Sequence, residues 1–113
     1  MYIEQWEDGR GNHPVEEFII QQPSKAQAKI AWTIGLLESQ GMDLLRTKHM
    51  ERLHGYKPTL YELKIYIMRK FYRIFFVVSD NTAWFLHAFA KKTNETPRKD
   101  IEIAVDRGKE IIQ

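Results

Sequence analysis

The sequence contains no cysteine among its 113 residues. This absence excludes a disulfide scaffold, a zinc site built from thiolates and a cysteine nucleophile, and it is compatible with a reducing compartment. The chain also lacks an apolar run of the ~18 residues that a membrane-spanning helix requires. The first residues, Met1 to Asp8, show neither the basic segment nor the apolar segment of a secretory signal peptide. We therefore expect a cytoplasmic protein with no membrane partner.

Internal repeats, low-complexity tracts and linker segments are missing as well, and the chain has only six glycines and four prolines. A chain of this length is expected to form one domain and to bury over ~60% of its unfolded surface. The apolar share of 43% and the charged share of 28% are typical of a globular protein. We expect a single domain over residues 1–113.

Positive charge is concentrated in the second half of the chain. Residues 1–40 carry three basic and six acidic side chains, whereas residues 46–99 carry twelve basic and four acidic side chains, a net charge of +8. Tyrosines and phenylalanines alternate with these cations. Cations pair with phosphates and aromatic rings stack on bases, so this mixture favours a nucleic-acid partner. The alternative interpretation is a solvated basic face beside an aromatic core.

Hydrophobic periodicity predicts helices at both ends of the chain. Pro14, followed by two glutamates, is typical of the start of a short helix. A second helix over 24–40 carries one apolar stripe at a spacing of three to four residues, and Gly41 ends it. The pair Thr96-Pro97 predicts the start of a last helix.

The hydrophobic period changes from 3.6 to 2 after Pro58, which predicts three strands joined by short turns. We expect these strands to form an antiparallel meander over 60–91, with helix 24–40 packed on one face. Residues 42–54 show no clear pattern, and we expect a loop with a helical turn there. With a short edge strand at 2–6, the predicted order is β-α-α-β-β-β-α. The fold class is α+β, a helical hairpin packed on a small, twisted, mainly antiparallel sheet.

Arg73 is the most informative single residue, because it interrupts a strand of apolar and aromatic residues. A buried charge is costly unless it is paired or reaches water. One interpretation is a structural salt bridge with Glu62 on the neighbouring strand. The other is a cation held in a groove, where its guanidinium binds a phosphate bidentately. Lys91 and Lys92 end the next strand, and only one of them can share a face with Arg73.

The four histidines are the candidates for acid–base chemistry. His87 lies between apolar residues of a strand, which predicts a hydrogen-bonded core histidine. His54 in a basic loop is the better candidate, and His49 and His13 are weaker ones. No pair of histidines has a metal-ligand spacing with a third ligand nearby, and no glycine-rich phosphate loop or nucleophile elbow is present. We expect no metal and no cofactor.

Five short segments follow one another in a recognisable order. They are LHGY at 53–56, LYELK at 60–64, YRIFF at 72–76, LHAFAKKT at 86–93 and TP at 96–97. In this order and spacing they resemble the RelE/ParE toxin superfamily, and most closely its phage-derived, HigB-like subgroup. The resemblance covers about residues 53–104, and the helical hairpin before them fits the same RelE-like fold.

The resemblance implies the toxin of a type II toxin–antitoxin pair, with an antitoxin of the helix-turn-helix type as its partner. RelE-like members enter the ribosomal A site and cut mRNA there without a metal. The ribose 2′-OH attacks the adjacent phosphate in line and leaves a cyclic phosphate and a 5′-hydroxyl. Such a reaction needs a base for the 2′-OH, a cation for the charge on phosphorus and an acid for the leaving oxygen.

The resemblance also implies roles for individual side chains. Arg73 would stabilise the phosphate charge, and Lys91 and Lys92 would bind the substrate backbone or stabilise its charge. His54 is the first candidate for the base, and Tyr66 or a lysine of lowered pKa are alternatives. Lys64 stands where the family usually has arginine, a change that weakens bidentate binding of phosphate. The candidate RNA-binding residues are Lys57, Lys64, Tyr66, Arg69, Lys70 and Arg98.

A second hypothesis comes from ParE-like relatives, which bind DNA gyrase and cleave no nucleic acid. The basic face would then bind a protein. A domain that has lost its activity is a third possibility. The Tyr72-Arg73 and Lys91-Lys92 pairs favour the nuclease, and a small helix-turn-helix reading frame directly downstream would support it.

Overall fold

The computed structural model describes the whole chain, residues 1–113, as an α+β fold with three α-helices and a five-stranded mixed sheet. Its elements are β1 (Tyr2–Gln5), α1 (Pro14–Ile20), α2 (Ser24–Gln40), a 3₁₀ helix (Gly41–Arg46), β2 (Met50–Leu53), β3 (Leu60–Ile67), β4 (Lys70–Ser79), β5 (Thr82–Lys91) and α3 (Arg98–Ile111). The strand order in the sheet is β1-β5-β4-β3-β2. None of the helices combines the length and the hydrophobicity that a membrane crossing requires.

Strands β3, β4 and β5 form the antiparallel meander predicted for residues 60–91. Both connections are tight turns whose two central residues have positive φ, Met68 and Arg69 in the first and Asp80 and Asn81 in the second. Positive φ at both positions is the type I′ geometry, whose twist matches that of antiparallel strands. Aspartate and asparagine suit this conformation, whereas Met68 and Arg69 adopt it at a steric cost that the strand pairing offsets.

The predicted element order was wrong in one place, because residues 42–54 contain a strand as well as the expected helical turn. In β2, Glu51 and Arg52 are exposed, and only Met50 is buried. A strand of four residues with two exposed interior positions shows no alternation of apolar and polar residues. Only its pairing with β3 in the folded protein identifies it as a strand. At the other edge, β1 pairs with β5 in parallel, which makes the sheet mixed.

Helix α2 packs on one face of the sheet, as its apolar stripe predicts. Its buried residues join one hydrophobic cluster with the inward-facing residues of the meander, and full burial of each large aliphatic side chain contributes about 1.5–3 kcal/mol. The main contributors are Ala26, Ile30 and Leu37 of α2, Leu63 and Ile65 of β3, and Tyr72, Ile74 and Phe76 of β4. This packing fixes α2 beside the β2–β3 edge of the sheet.

Helix α3 covers part of the opposite face. Ile101 and Ala104 of α3 share a second cluster with Phe75 and Phe89 of the meander. Towards the β3–β4 turn this face is open, because Tyr66 is 58% exposed there. The two helices therefore leave one end of the sheet accessible, at the edge where β2 is short.

A buried hydrogen bond attaches α3 to the sheet. The Nε2 atom of His87 lies 2.6 Å from Oδ1 of Asp100, whose carboxylate is buried. Burial lowers the pKa of His87 below its usual value, although hydrogen bonding to Asp100 opposes the shift. The neutral ring donates its Nε2–H to the carboxylate. His87 is thus the hydrogen-bonded histidine that its apolar neighbours predict.

The His87→Ala variant is expected to lose about 1–3 kcal/mol of unfolding free energy, because Asp100 is left without a partner in a buried site. Wild-type stability should fall below about pH 6.5, because the unfolded chain then binds a proton at His87 that the folded chain does not bind. The variant should show a shallower fall. Urea denaturation at about pH 7.5 and about pH 5.5 measures both effects.

The exposed turn residue His54 offers the matched control for this prediction. His54→Ala is expected to change stability by less than about 0.5 kcal/mol. Equal stability of the two variants would contradict a structural role for His87.

Candidate functional site

A cavity of about 250 Å³ opens at the edge of the sheet where β2 begins. β2 pairs only with residues 60–63, so the rest of β3 has no neighbouring strand on that side. The Lys64 N–H donates to the His49 carbonyl at 2.9 Å, at the point where the two segments separate. The lining residues come from α2, the loop before β2, β3, β4 and the segment after β5: Lys29, Lys48, His49, Lys64, Ile65, Tyr66, Phe71, Arg73 and Asn94.

All the charged side chains that line the cavity are basic. Its cations are Lys29, Lys48, Lys64 and Arg73, and none of the lining residues is acidic. One exposed carboxylate, that of Glu51, lies 3.3 Å from the Lys64 ammonium on the side of β2. Like charges gathered in a partly enclosed space create a positive potential that attracts anions. A phosphate group is one anion that lysine and arginine bind through strong, charge-assisted hydrogen bonds.

Arg73 lies at the back of the cavity, and its side chain is 5% exposed. One terminal nitrogen donates to the Glu62 carboxylate and the other donates to the side-chain oxygen of Asn94. The Nε atom is buried without a hydrogen-bond partner. The guanidinium carbon also lies 5.6 Å from the centre of the Phe71 ring. The side chain is therefore held firmly by both terminal nitrogens, while its Nε–H is left without an acceptor.

The salt bridge expected as one interpretation of Arg73 is confirmed. The salt bridge with Glu62 is present and buried, and the guanidinium also faces the cationic cavity. Burial raises the pKa of Glu62, and the charge and hydrogen bond of Arg73 oppose that shift. Because water solvates neither group, each charge depends on the other for its stability.

His49 is the one histidine that lines the cavity. It lies between the 3₁₀ helix and β2, and its ring contacts Trp32 of α2 edge to face, with the ring centres 5.6 Å apart. Burial lowers the pKa of His49, and the positive charges of Lys48 and Lys29 lower it further. The imidazole is consequently neutral at neutral pH and able to accept a proton.

Sequence reasoning ranked His49 below His54, and the structure places the two differently. His54 is exposed in the turn after β2 and does not line the cavity. The signal for His49 was the Lys48-His49 pair directly before a strand, but that strand was itself not recognised. A basic neighbour before a strand is weak information until the strand is known.

The structure brings together only three of the predicted site residues in the cavity, Arg73, Lys64 and Tyr66. Lys91 is on the same sheet face, paired with Phe71 at the cavity wall, whereas Lys92 follows the strand and is exposed. The remaining candidates lie elsewhere on the surface. Arg69 and Lys70 are exposed at the β3–β4 turn, Lys57 is exposed before β3, and Arg98 is exposed at the start of α3, where it pairs with Glu102.

No group of three histidine, aspartate or glutamate side chains is arranged to hold a metal ion. The cavity itself presents a neutral imidazole among four cationic side chains. Such a set can bind a phosphate, accept a proton from a hydroxyl group and stabilise negative charge on oxygen.

Comparison with protein families matches residues 17–109 to the family described as phage derived protein Gp49-like (DUF891). No curated protein and no solved structure matches the chain. The matched segment contains every residue that lines the cavity. Since the match spans most of the chain, the protein belongs to the Gp49-like family of phage-derived proteins, a RelE-like toxin family of toxin–antitoxin systems.

Proposed function

We propose that this protein is the toxin of a type II toxin–antitoxin pair and cleaves mRNA on the ribosome as a metal-independent endoribonuclease. One observation carries the proposal: a histidine of lowered pKa lies among four cations in a cavity large enough for a phosphate group. Family membership supports the toxin activity in general. The HigB-like subgroup and a RelE-like topology are part of the same proposal.

The proposed reaction is an intramolecular transfer, in which the ribose on the 5′ side of the phosphate attacks phosphorus with its 2′ oxygen and the 5′ oxygen of the next nucleotide leaves. The His49 imidazole accepts the proton of the 2′-OH, and the 2′ oxygen attacks phosphorus while the bond from phosphorus to the 5′ oxygen breaks. Arg73 and Lys64 stabilise the charge that develops on the phosphate oxygens. A lysine ammonium at the cavity, for which Lys48 is the candidate, gives a proton to the leaving 5′ oxygen. The products are a 2′,3′-cyclic phosphate and a 5′-hydroxyl.

The surrounding basic residues would hold the rest of the substrate. Lys91 lies beside the cavity wall, and the exposed cations of the β3–β4 turn extend the positive surface on the open end of the sheet. Salt-sensitive contacts of lysine and arginine with phosphates supply much of the affinity of such surfaces for nucleic acid. The exposed Tyr66 ring at the rim would stack on a base.

The partner that controls this activity is proposed to be an antitoxin, as is usual in the family. An acidic or amphipathic segment would cover the cavity, because opposite charge speeds association with a basic surface. A helix-turn-helix protein encoded next to the toxin is the expected source of that segment.

Inducible expression of the protein in bacteria, followed by primer extension on cellular mRNAs, tests the proposal. Growth arrest with new 5′ ends inside translated reading frames is the expected result. Growth arrest without new 5′ ends, together with broken or unsupercoiled DNA, would instead indicate the ParE-like alternative, a gyrase poison. An absence of any growth defect would contradict both toxin hypotheses. The Arg73 and His49 variants described below serve as the inactive controls.

A further inference from the structure

Trp32 of α2 is a large aromatic residue left half exposed, with 51% of its surface in water. It is not part of the apolar stripe of α2, whose buried members are Ala26, Ile30, Thr33 and Leu37. Removing so large an apolar ring from water would be favourable, so its exposure is not explained by packing within the chain.

The indole is attached to the cationic cavity through two lining residues. The Lys29 ammonium lies 4.5 Å from the centre of the Trp32 ring, a cation–π contact, and the His49 ring meets it edge to face. These contacts limit the motion of the ring and place it directly outside the cavity. The remaining exposed surface of the indole faces water at the end of a positively charged space.

A second exposed ring, that of Tyr66, lies on the other side of the sheet edge. Tyr66 shares a sheet face with Phe71 and Arg73, whereas α2 packs on the opposite face. Tyr66 lines the cavity together with its cations, and Trp32 contacts two other lining residues, Lys29 and His49. Aromatic rings beside a cationic groove are the arrangement with which proteins bind single-stranded nucleic acid, because bases stack while phosphates pair with the cations.

We propose that Trp32, supported by Lys29, forms a base-stacking subsite for a nucleotide that flanks the phosphate bound in the cavity. The ligand is single-stranded RNA, and the proposal rests on the proposed function of the cavity. The subsite extends the substrate path from the sheet onto α2. It assigns a recognition role to a helix whose predicted purpose was only to cover the core.

Binding of a fluorescent single-stranded RNA that carries 2′-O-methyl groups tests the subsite without cleavage, because the attacking hydroxyl is blocked. Trp32→Ala is expected to weaken binding about 5- to 150-fold, the range that loss of one base–aromatic stack produces. Trp32→Phe should recover most of the affinity, since it retains a ring. The matched control is Tyr2→Ala, because Tyr2 is 71% exposed on β1 at the opposite sheet edge.

The salt dependence of binding separates stacking from charge. Trp32→Ala should leave the slope of log affinity against log salt unchanged. Lys29→Met should make the slope shallower by the amount that corresponds to the loss of about one phosphate contact. Circular dichroism and thermal melts should show that the Trp32 variants fold as the wild type does, because the residue is on the surface.

The outcomes distinguish the subsite from the function on which it rests. If cells show mRNA cleavage while Trp32→Ala binds the RNA as tightly as Tyr2→Ala, the subsite is wrong and the nuclease proposal stands. If the wild type binds no single-stranded RNA at low salt, the subsite is overturned, whereas the nuclease proposal is decided separately by primer extension on cellular mRNAs. If Trp32→Ala affects only binding of the antitoxin, the indole is a protein contact and the subsite is again overturned.

Discussion

Replacing Arg73 with methionine is expected to lower the unfolding free energy by about 3–5 kcal/mol and to reduce mRNA cleavage about 10²- to 10³-fold per folded molecule. The loss of stability follows because Glu62 would keep a buried charge without its partner. The loss of cleavage follows because the rigidly held guanidinium faces the cavity in which the phosphate is proposed to bind.

A double variant separates the two effects. Arg73→Met combined with Glu62→Met replaces a buried ion pair with apolar side chains of similar size, an exchange that is often neutral or stabilising. The double variant is therefore expected to melt near the wild type but to remain inactive. The exposed loop residue Arg10 provides the control, since Arg10→Met removes a positive charge far from the cavity lining. It should retain both stability and toxicity.

Urea denaturation and primer extension on the same set of variants decide the matter. Cleavage by the double variant at the wild-type rate would show that Arg73 has only a structural role. The phosphate would then be bound by the lysines of the cavity. Inactivity of the double variant with normal folding would support a direct role for the guanidinium, because the structural contribution of the ion pair has been removed from the comparison.

The meander and helix α2 could be predicted from the sequence because their signals are local and repeated. Residues 60–67 alternate with period 2, and residues 24–40 carry an apolar stripe of period 3.6. Each periodic pattern therefore repeats several times within its own segment. Strand β2 could not be predicted, because it has only four residues and its two central ones, Glu51 and Arg52, are both exposed. Such a segment shows no alternation of apolar and polar residues. Its existence depends on the free edge of β3, which only the assembled sheet supplies.

The candidate site divides in the same way. Arg73 was found because a charged residue among apolar strand residues is costly to bury unless it has a partner or lies in a groove, and the sequence alone shows this. His49 was undervalued because its pKa is lowered by burial, by Lys48 and by Lys29, and Lys29 and Trp32 of α2 approach it only after the helix has packed on the sheet. Basic residues on the surface, such as Lys57 and Arg98, match the overall charge pattern but do not line the cavity. A count of charges along the sequence cannot distinguish the basic residues that line the cavity from those elsewhere on the surface.

The second large effect is expected at His49. His49→Ala should reduce cleavage about 10²- to 10⁴-fold, the usual contribution of a general base. His49 is only partly buried and its side chain has no hydrogen-bond partner in the structure, so the thermal stability of the variant should change little. His54→Ala tests the competing assignment. Wild-type cleavage by His49→Ala together with inactivity of His54→Ala would make His54 the base and the assignment to His49 wrong.

The pH dependence of cleavage provides a signature that a structural role for His49 would not produce. The base is active when neutral, so the rate should rise with pH through the pKa of His49 and then level off, with a midpoint below the usual histidine value of about 6.5. Burial and the charges of Lys48 and Lys29 cause the low midpoint, and the cavity also contains Lys64 and Arg73. Lys29→Met removes one of these charges and should move the midpoint upward, although burial keeps it below the usual value. Single-turnover cleavage on programmed ribosomes between about pH 5.5 and about pH 8 measures the shift, and an unchanged midpoint in Lys29→Met would assign the titration to another group.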